Sequence, residues 1–196
     1  MINIDEVLYK KVKAEMDKWS DTDIYAVSFF VNSNEAHVYN GFKNVSDFCI
    51  SYNTESNCDG AEEFSEERWN YAFWLQDETY IIDTLNNSAE TELLFEWYKE
   101  NSLHNLGIKN NDDCYDDAGY YIGKGPVGHY ELLQIVANIA KRLQSERYLE
   151  TRFGKIIPII VHGLEYAWYD VEATKIANPN NEAGTFIAAL EKLGMI

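Results

Sequence analysis

Three groups of residues in this chain could do chemistry. The first is His162, which ends the apolar run Ile156-Ile-Pro-Ile-Ile-Val161 and is followed by Gly163, Leu164 and Glu165. A strand end often presents catalytic groups, and a His–Glu neighbourhood suits acid–base work. A lone His in that place is also a common hydrogen-bonded structural residue. No GxSxG elbow accompanies it, and Ser/His/Asp or Cys/His partners lie too far apart in sequence to be read. The second group is Glu62-Glu63-Phe-Ser-Glu66-Glu67, which runs straight into Arg68-Trp69 and on to Trp74. Carboxylates beside exposed aromatics fit a basic protein partner, since charge steers the encounter and aromatics anchor it. The same pattern also fits a solvated acidic edge over core aromatics. The third is Asp112-Asp113-Cys-Tyr-Asp116-Asp117. Hard cations need several oxygens close together, but the Gly and terminal Glu of an EF-hand loop are misplaced. A solvated acidic loop or a partner-binding loop remains.

One further motif is weaker. Gly123-Lys-Gly125-Pro-Val-Gly128 has the letters of a dinucleotide-binding GxGxxG and precedes a helix. No βαβ unit leads into it, so a glycine loop ahead of a helix is the simpler reading. Cys49, Cys58 and Cys114 have neither zinc spacing nor a disulfide framework, which suits reduced thiols. Neither a metal nor a cofactor is expected.

The charge bounds the partners. The chain has 196 residues, 33 acidic against 16 basic, and a formal charge of −17. Residues 1–100 carry 21 acidic and 7 basic side chains, and 13 of those acids lie between Glu55 and Glu100 against only Arg68 and Lys99. Such a field repels nucleic-acid phosphates and anionic membranes, so direct binding to either is not expected, and it favours basic proteins or cations. Hydrophobic residues at 46% and aromatics at 14% exclude a disordered chain. No signal peptide or apolar span is read, and a cytoplasmic location is expected.

These residues must be positioned by a core. Leu8, Val12, Met16 and Trp19 fit an amphipathic helix over 5–20. Residues 24–31 read as a buried strand, with a turn at Asn32-Ser-Asn34 and a return over 36–39. Phe42, Val45, Phe48 and Tyr52 suggest a short helix. Residues 64–75 alternate and favour a strand, and 79–82 another. Helices are predicted over 89–100 and 129–148, the latter with Leu132, Leu133, Val136, Ile139, Ala140 and Leu143 as one stripe. A strand over 156–161 contains Pro158 and must therefore lie at an edge or bulge. Helices over 167–177 and 182–193 close the chain. The expected fold is a single compact α+β domain over 1–196, with a mostly antiparallel sheet packed against several helices.

The order of segments, with Asp23-Ile-Tyr-Ala-Val-Ser-Phe-Phe30, Glu67-Arg-Trp-Asn-Tyr71, Phe153-Gly-Lys-Ile-Ile-Pro-Ile-Ile-Val-His-Gly-Leu-Glu165 and Ala177-Asn-Pro179, resembles the bacterial family called domain of unknown function 4303. The proline that the resemblance leads one to expect shortly after Arg68-Trp69 is absent. The resemblance implies a standalone bacterial cytoplasmic domain of a kind suspected to act as toxin immunity proteins, and it carries no catalytic residues over. A non-enzymatic acidic binder that occludes a basic toxin is the leading expectation. Its partner-binding candidates are Glu62, Glu63, Glu66, Glu67, Trp69, Trp74, Asp112, Asp113, Asp116 and Asp117. The alternative is a small enzyme or ligand-binding domain built on His162 and Glu165.

Overall fold

Residues 24–31 are apolar on both sides of the chain, and a strand so built has to be covered on both faces. The structure, a computed structural model, describes residues 3–39, 42–86, 88–104, 106–107 and 125–196, with side chains throughout except at 34–39 and 43. In it β1 (Ile24–Tyr39) is an inner strand of a four-stranded sheet of order β3-β2-β1-β4. It pairs antiparallel with β2 (Phe42–Thr54), in a register that sets Phe29 opposite Ile50 and Val31 opposite Phe48. On its other side it pairs parallel with β4 (Ile159–His162), from Val27 opposite Ile159 to Phe30 opposite His162. The short β3 (Thr79–Ile82) adds antiparallel to β2. The fold is α+β as expected, but the sheet is mixed because its β1–β4 pair is parallel.

The two faces are covered differently. Val27, Phe29 and Val31 of β1, with Phe48 and Ile50 of β2, meet α1 (Ile4–Met16), α4 (Ala89–Glu100) and α5 (His129–Ser145) in an aliphatic-rich core. The α5 stripe is buried at every position its spacing marks. A short helix, α6 (Tyr148–Phe153), follows and packs on α5. The opposite face is covered by α2 (Glu55–Cys58), α3 (Glu66–Trp69), a single 3-10 turn (Tyr71–Phe73) and α8 (Gly184–Leu193). There the core is smaller and aromatic: Tyr25, Trp69, Tyr71, Trp74 and Phe186. None of the described helices is long and apolar enough to cross a membrane.

Among the described residues no strand lies beside the outer edge of β4. Helix α7 (Trp168–Ala177) and its C-terminal residue Asn178 satisfy it instead. Asn178 accepts from Ile159 N–H (3.0 Å) and donates to Ile159 C=O (2.7 Å). Thr174 Oγ1 accepts from Val161 N–H (2.9 Å) and donates back to Val161 C=O (2.8 Å). Two side chains thus imitate a missing strand, which buried backbone groups require. Pro158 lies just ahead of this edge strand, as its missing donor demands, and its carbonyl accepts from Val27 N–H.

Three expectations are corrected. Residues 42–52 form β2 rather than a helix: a strand buried on both faces is apolar at so many positions that helical and strand spacing coincide. Residues 64–75 are not a strand; they form α3 and the 3-10 turn, and their aromatics plug into the sheet instead of extending a ladder. The return strand begins at Phe42, because β1 continues through 32–34 to Tyr39.

Asn178 also accepts from Gln144 Nε2 (3.0 Å), so its truncation strands several buried groups at once. Asn178→Ala should lose about 3 kcal/mol of stability by urea unfolding, with Thr174→Val losing less. An Asn178→Ala loss under about 0.5 kcal/mol would show that the edge does not need these side chains.

Candidate functional site

His162 is placed at the end of β4, as the sequence suggests, but it is 0% exposed. Its Nδ1–H donates to the Gly163 carbonyl (2.8 Å), which leaves Nε2 to accept from the Ser28 hydroxyl (2.8 Å). A Ser–His contact of this length is the geometry of an activated nucleophile. Here it is sealed: Ser28 is also 0% exposed, and the rings of Tyr71 (4.7 Å), Phe30 (5.4 Å), Trp74 (5.9 Å) and Tyr166 (6.0 Å) enclose the imidazole. Burial pushes the imidazole down to about 4, so it is neutral at physiological pH. The pair is therefore a satisfied polar contact within the aromatic core. Glu165, three residues on, is exposed and does not meet it.

Trp69 and Trp74 are 4% and 5% exposed, which corrects their expected role as partner anchors. They hold the segment above them. Trp69 Nε1 donates to Glu63 C=O (2.6 Å), and Trp74 Nε1 donates to Arg68 C=O (2.9 Å). Tyr25 Oη also donates to Arg68 C=O (2.5 Å), and Tyr166 Oη to Trp69 C=O (2.6 Å). Four aromatic donors thereby fix the backbone of 63–69, while Glu62, Glu63, Glu66 and Glu67 all point to solvent. Arg68 is held by a bidentate pair with Glu55 (2.7 and 2.8 Å) and lies over the Tyr25 ring (4.1 Å). Its guanidinium holds the Glu55 carboxyl below its usual range. Lys192 is stacked over the Phe64 ring of this ridge (4.9 Å). Asp112, Asp113, Asp116 and Asp117 lie outside the described residues, as do Gly123 and Lys124.

A cleft that the sequence reading missed opens beyond the carboxyl end of β4, beside the middle of β1. Its volume is about 1060 Å³, and Asn32, Asp47, His129, Glu165, Tyr169 and Asp170 are among its walls. His129 Nδ1 meets the buried Ser46 hydroxyl (2.8 Å). Asp47 Oδ1 accepts from both the N–H (2.8 Å) and the hydroxyl (2.6 Å) of Thr84. Asp170, 2% exposed, caps α7 by accepting from Ala167 N–H through Oδ2 (3.0 Å). Its Oδ1 is buried without a hydrogen-bond partner. Desolvation pushes this carboxyl from its ordinary 3.8 up to about 7. The sequence signal for Asp170 was only its place three residues after a helix start, which reads as capping. Among the described residues no three His, Cys, Asp or Glu side chains come together to hold a metal ion. No family model, curated protein or solved structure matches the chain.

The two shifted groups act oppositely on stability. His162, depressed in the folded state, contributes stability that is present above its unfolded value of about 6.5 and is lost as pH falls toward 4, about 3 kcal/mol in all. Asp170, raised in the folded state, contributes stability present below about 3.8 and lost as pH rises to about 7, on the order of 4 kcal/mol. Denaturant unfolding from pH 4 to 7.5 should show Asp170→Asn gaining on wild type as pH rises, and His162→Gln gaining on it as pH falls. Parallel curves for variant and wild type would contradict these assignments.

Proposed function

We propose that this is a non-catalytic binding protein that presents the ridge of Glu62, Glu63, Glu66 and Glu67 to a basic protein partner, as an immunity protein occluding a toxin would. The observation that carries this reading is the pinned ridge. Its backbone is fixed from beneath by buried aromatic donors, while its carboxylates face solvent. A preorganised surface loses little conformational entropy on binding, and its uniform sign accelerates encounter with a partner of opposite charge. Arg68, the cation within the ridge, is already committed to Glu55. The sealing of the Ser28–His162 pair removes the main support for the catalytic alternative. The resemblance to the suspected immunity family points the same way.

The ridge carboxylates contribute little to the fold: of the four, only Glu66 accepts a side-chain hydrogen bond, from Asn70 (2.9 Å) at the surface. Reversing all four to Lys should therefore change unfolding stability by no more than about 1 kcal/mol. A pull-down from native cytosol should capture a basic protein on wild type at low salt, release it at high salt, and capture nothing on the reversed variant. Equal capture by both forms, or capture indifferent to salt, would refute an electrostatic interface here.

A further inference from the structure

The cleft beyond the end of β4 contains a group that internal packing leaves unfinished. Asp170 is 98% buried, since only 2% of it is exposed, and its Oδ1 has no donor within reach. A buried carboxylate oxygen left open is costly, and such a cost persists where the site receives something. The charge of the walls says what. Among the described walls Asp47, Glu165 and Asp170 are acidic, and none is Lys or Arg. The N-termini of α5 and α7 also face this region and would ordinarily attract anions. Both are already occupied by the chain's own carboxylates: Glu131 accepts from Gly128 N–H (2.6 Å) and Asp170 from Ala167 N–H (3.0 Å). Among the described walls an anion would meet three acidic side chains and no Lys or Arg. Tyr169 and Tyr80 add ring surfaces of the kind that favour organic cations.

We infer that this cleft is a receptor for a guanidinium or ammonium group, bound by the buried, unpartnered Oδ1 of Asp170 with Glu165 contributing charge at the rim. The cation has two sources, a free small amine or an Arg or Lys side chain of a protein. The second would rest on the ridge reading and would extend it. Leu164, Glu165 and Ala167 line both this cleft and an adjoining recess of about 370 Å³, and the recess is also lined by Asn70, the residue that ends α3. A basic protein seated on the ridge would thus have a path for one side chain into the cleft.

Methylguanidinium is the first probe, with methylurea as its neutral isostere, and the readout is the backbone amide NMR spectrum of the whole chain. The expected result is saturable shifts at Gly163, Glu165 and Asp170 with methylguanidinium and none with methylurea. Affinity should fall about tenfold in Asp170→Asn, whose side chain can still cap α7. Should that variant not fold, Glu165→Gln at the exposed rim should weaken the same binding about twofold. No saturable shift in wild type, equal binding of methylurea, or an unchanged affinity in the folded variants would overturn the inference. The two sources separate on the ridge-reversed protein. Methylguanidinium should bind it as it binds wild type, whatever the fate of the ridge reading. A tri-arginine peptide that reaches the cleft of wild type more tightly than that of the reversed form identifies a protein side chain, and equal affinity identifies a free small cation.

Discussion

The hydrogen bonds between α7 and the outer edge of β4 tie the position of the cleft to that of the core. A parallel edge strand buried at every position has backbone groups that neither water nor another strand can satisfy. Asn178 and Thr174 complete them, and in doing so they fix where α7 lies along the strand. The loop from Gly163 to Ala167 must then span from the end of β4 to the start of α7. That span determines the position of Asp170 and the mouth of the cleft. Gln144 joins α5 to the same arrangement by donating to Asn178 and to Ile157 C=O. The major core and the cleft thus share one scaffold.

The sheet divides its work between its faces. One side is an aliphatic-rich core under long helices, where packing alone suffices. The other is a wall of rings whose polar atoms are each given a partner. Tyr25 Oη donates to Arg68 C=O and accepts from Asn53 Nδ2 and Cys58 Sγ, and His162 uses both ring nitrogens. Such a wall is specific because each of its Tyr, Trp and His rings has a hydrogen bond to make as well as a volume to fill. Burial of His162 in its neutral form follows from that setting, since no carboxylate is hydrogen-bonded to it to hold a proton.

What could be read from the sequence was whatever depends on one periodicity. The α5 stripe, the amphipathic α1 and α4, and the apolar runs of β1 and β4 were legible because each buries one face or all of its length. The strand β2 was not, because an inner strand flanked on both faces loses its alternation. Residues 64–75 misled for a related reason: alternation among Trp69, Tyr71 and Phe73 imitated a strand, whereas Trp69 and Tyr71 enter the wall and Phe73 stays at the surface. The end of β4 was correctly placed, but neither the enclosure of His162 by rings from three segments nor its meeting with Ser28 has a local signature. Asp170 was invisible as a site residue, since its burial arises from α7 being held against β4 by residues four and eight positions further along.

The wall of rings reads the ridge only through main-chain carbonyls. Trp69, Trp74, Tyr25 and Tyr166 take their acceptors from Glu63, Arg68 and Trp69 backbone, and none of them touches the side-chain carboxylates of Glu62, Glu63, Glu66 or Glu67 by hydrogen bond. The identities of those four residues are thereby released from the demands of folding. A lineage carrying this fold could rewrite the ridge, in charge or in shape, without reopening the core, so that recognition could diverge while architecture stays constant.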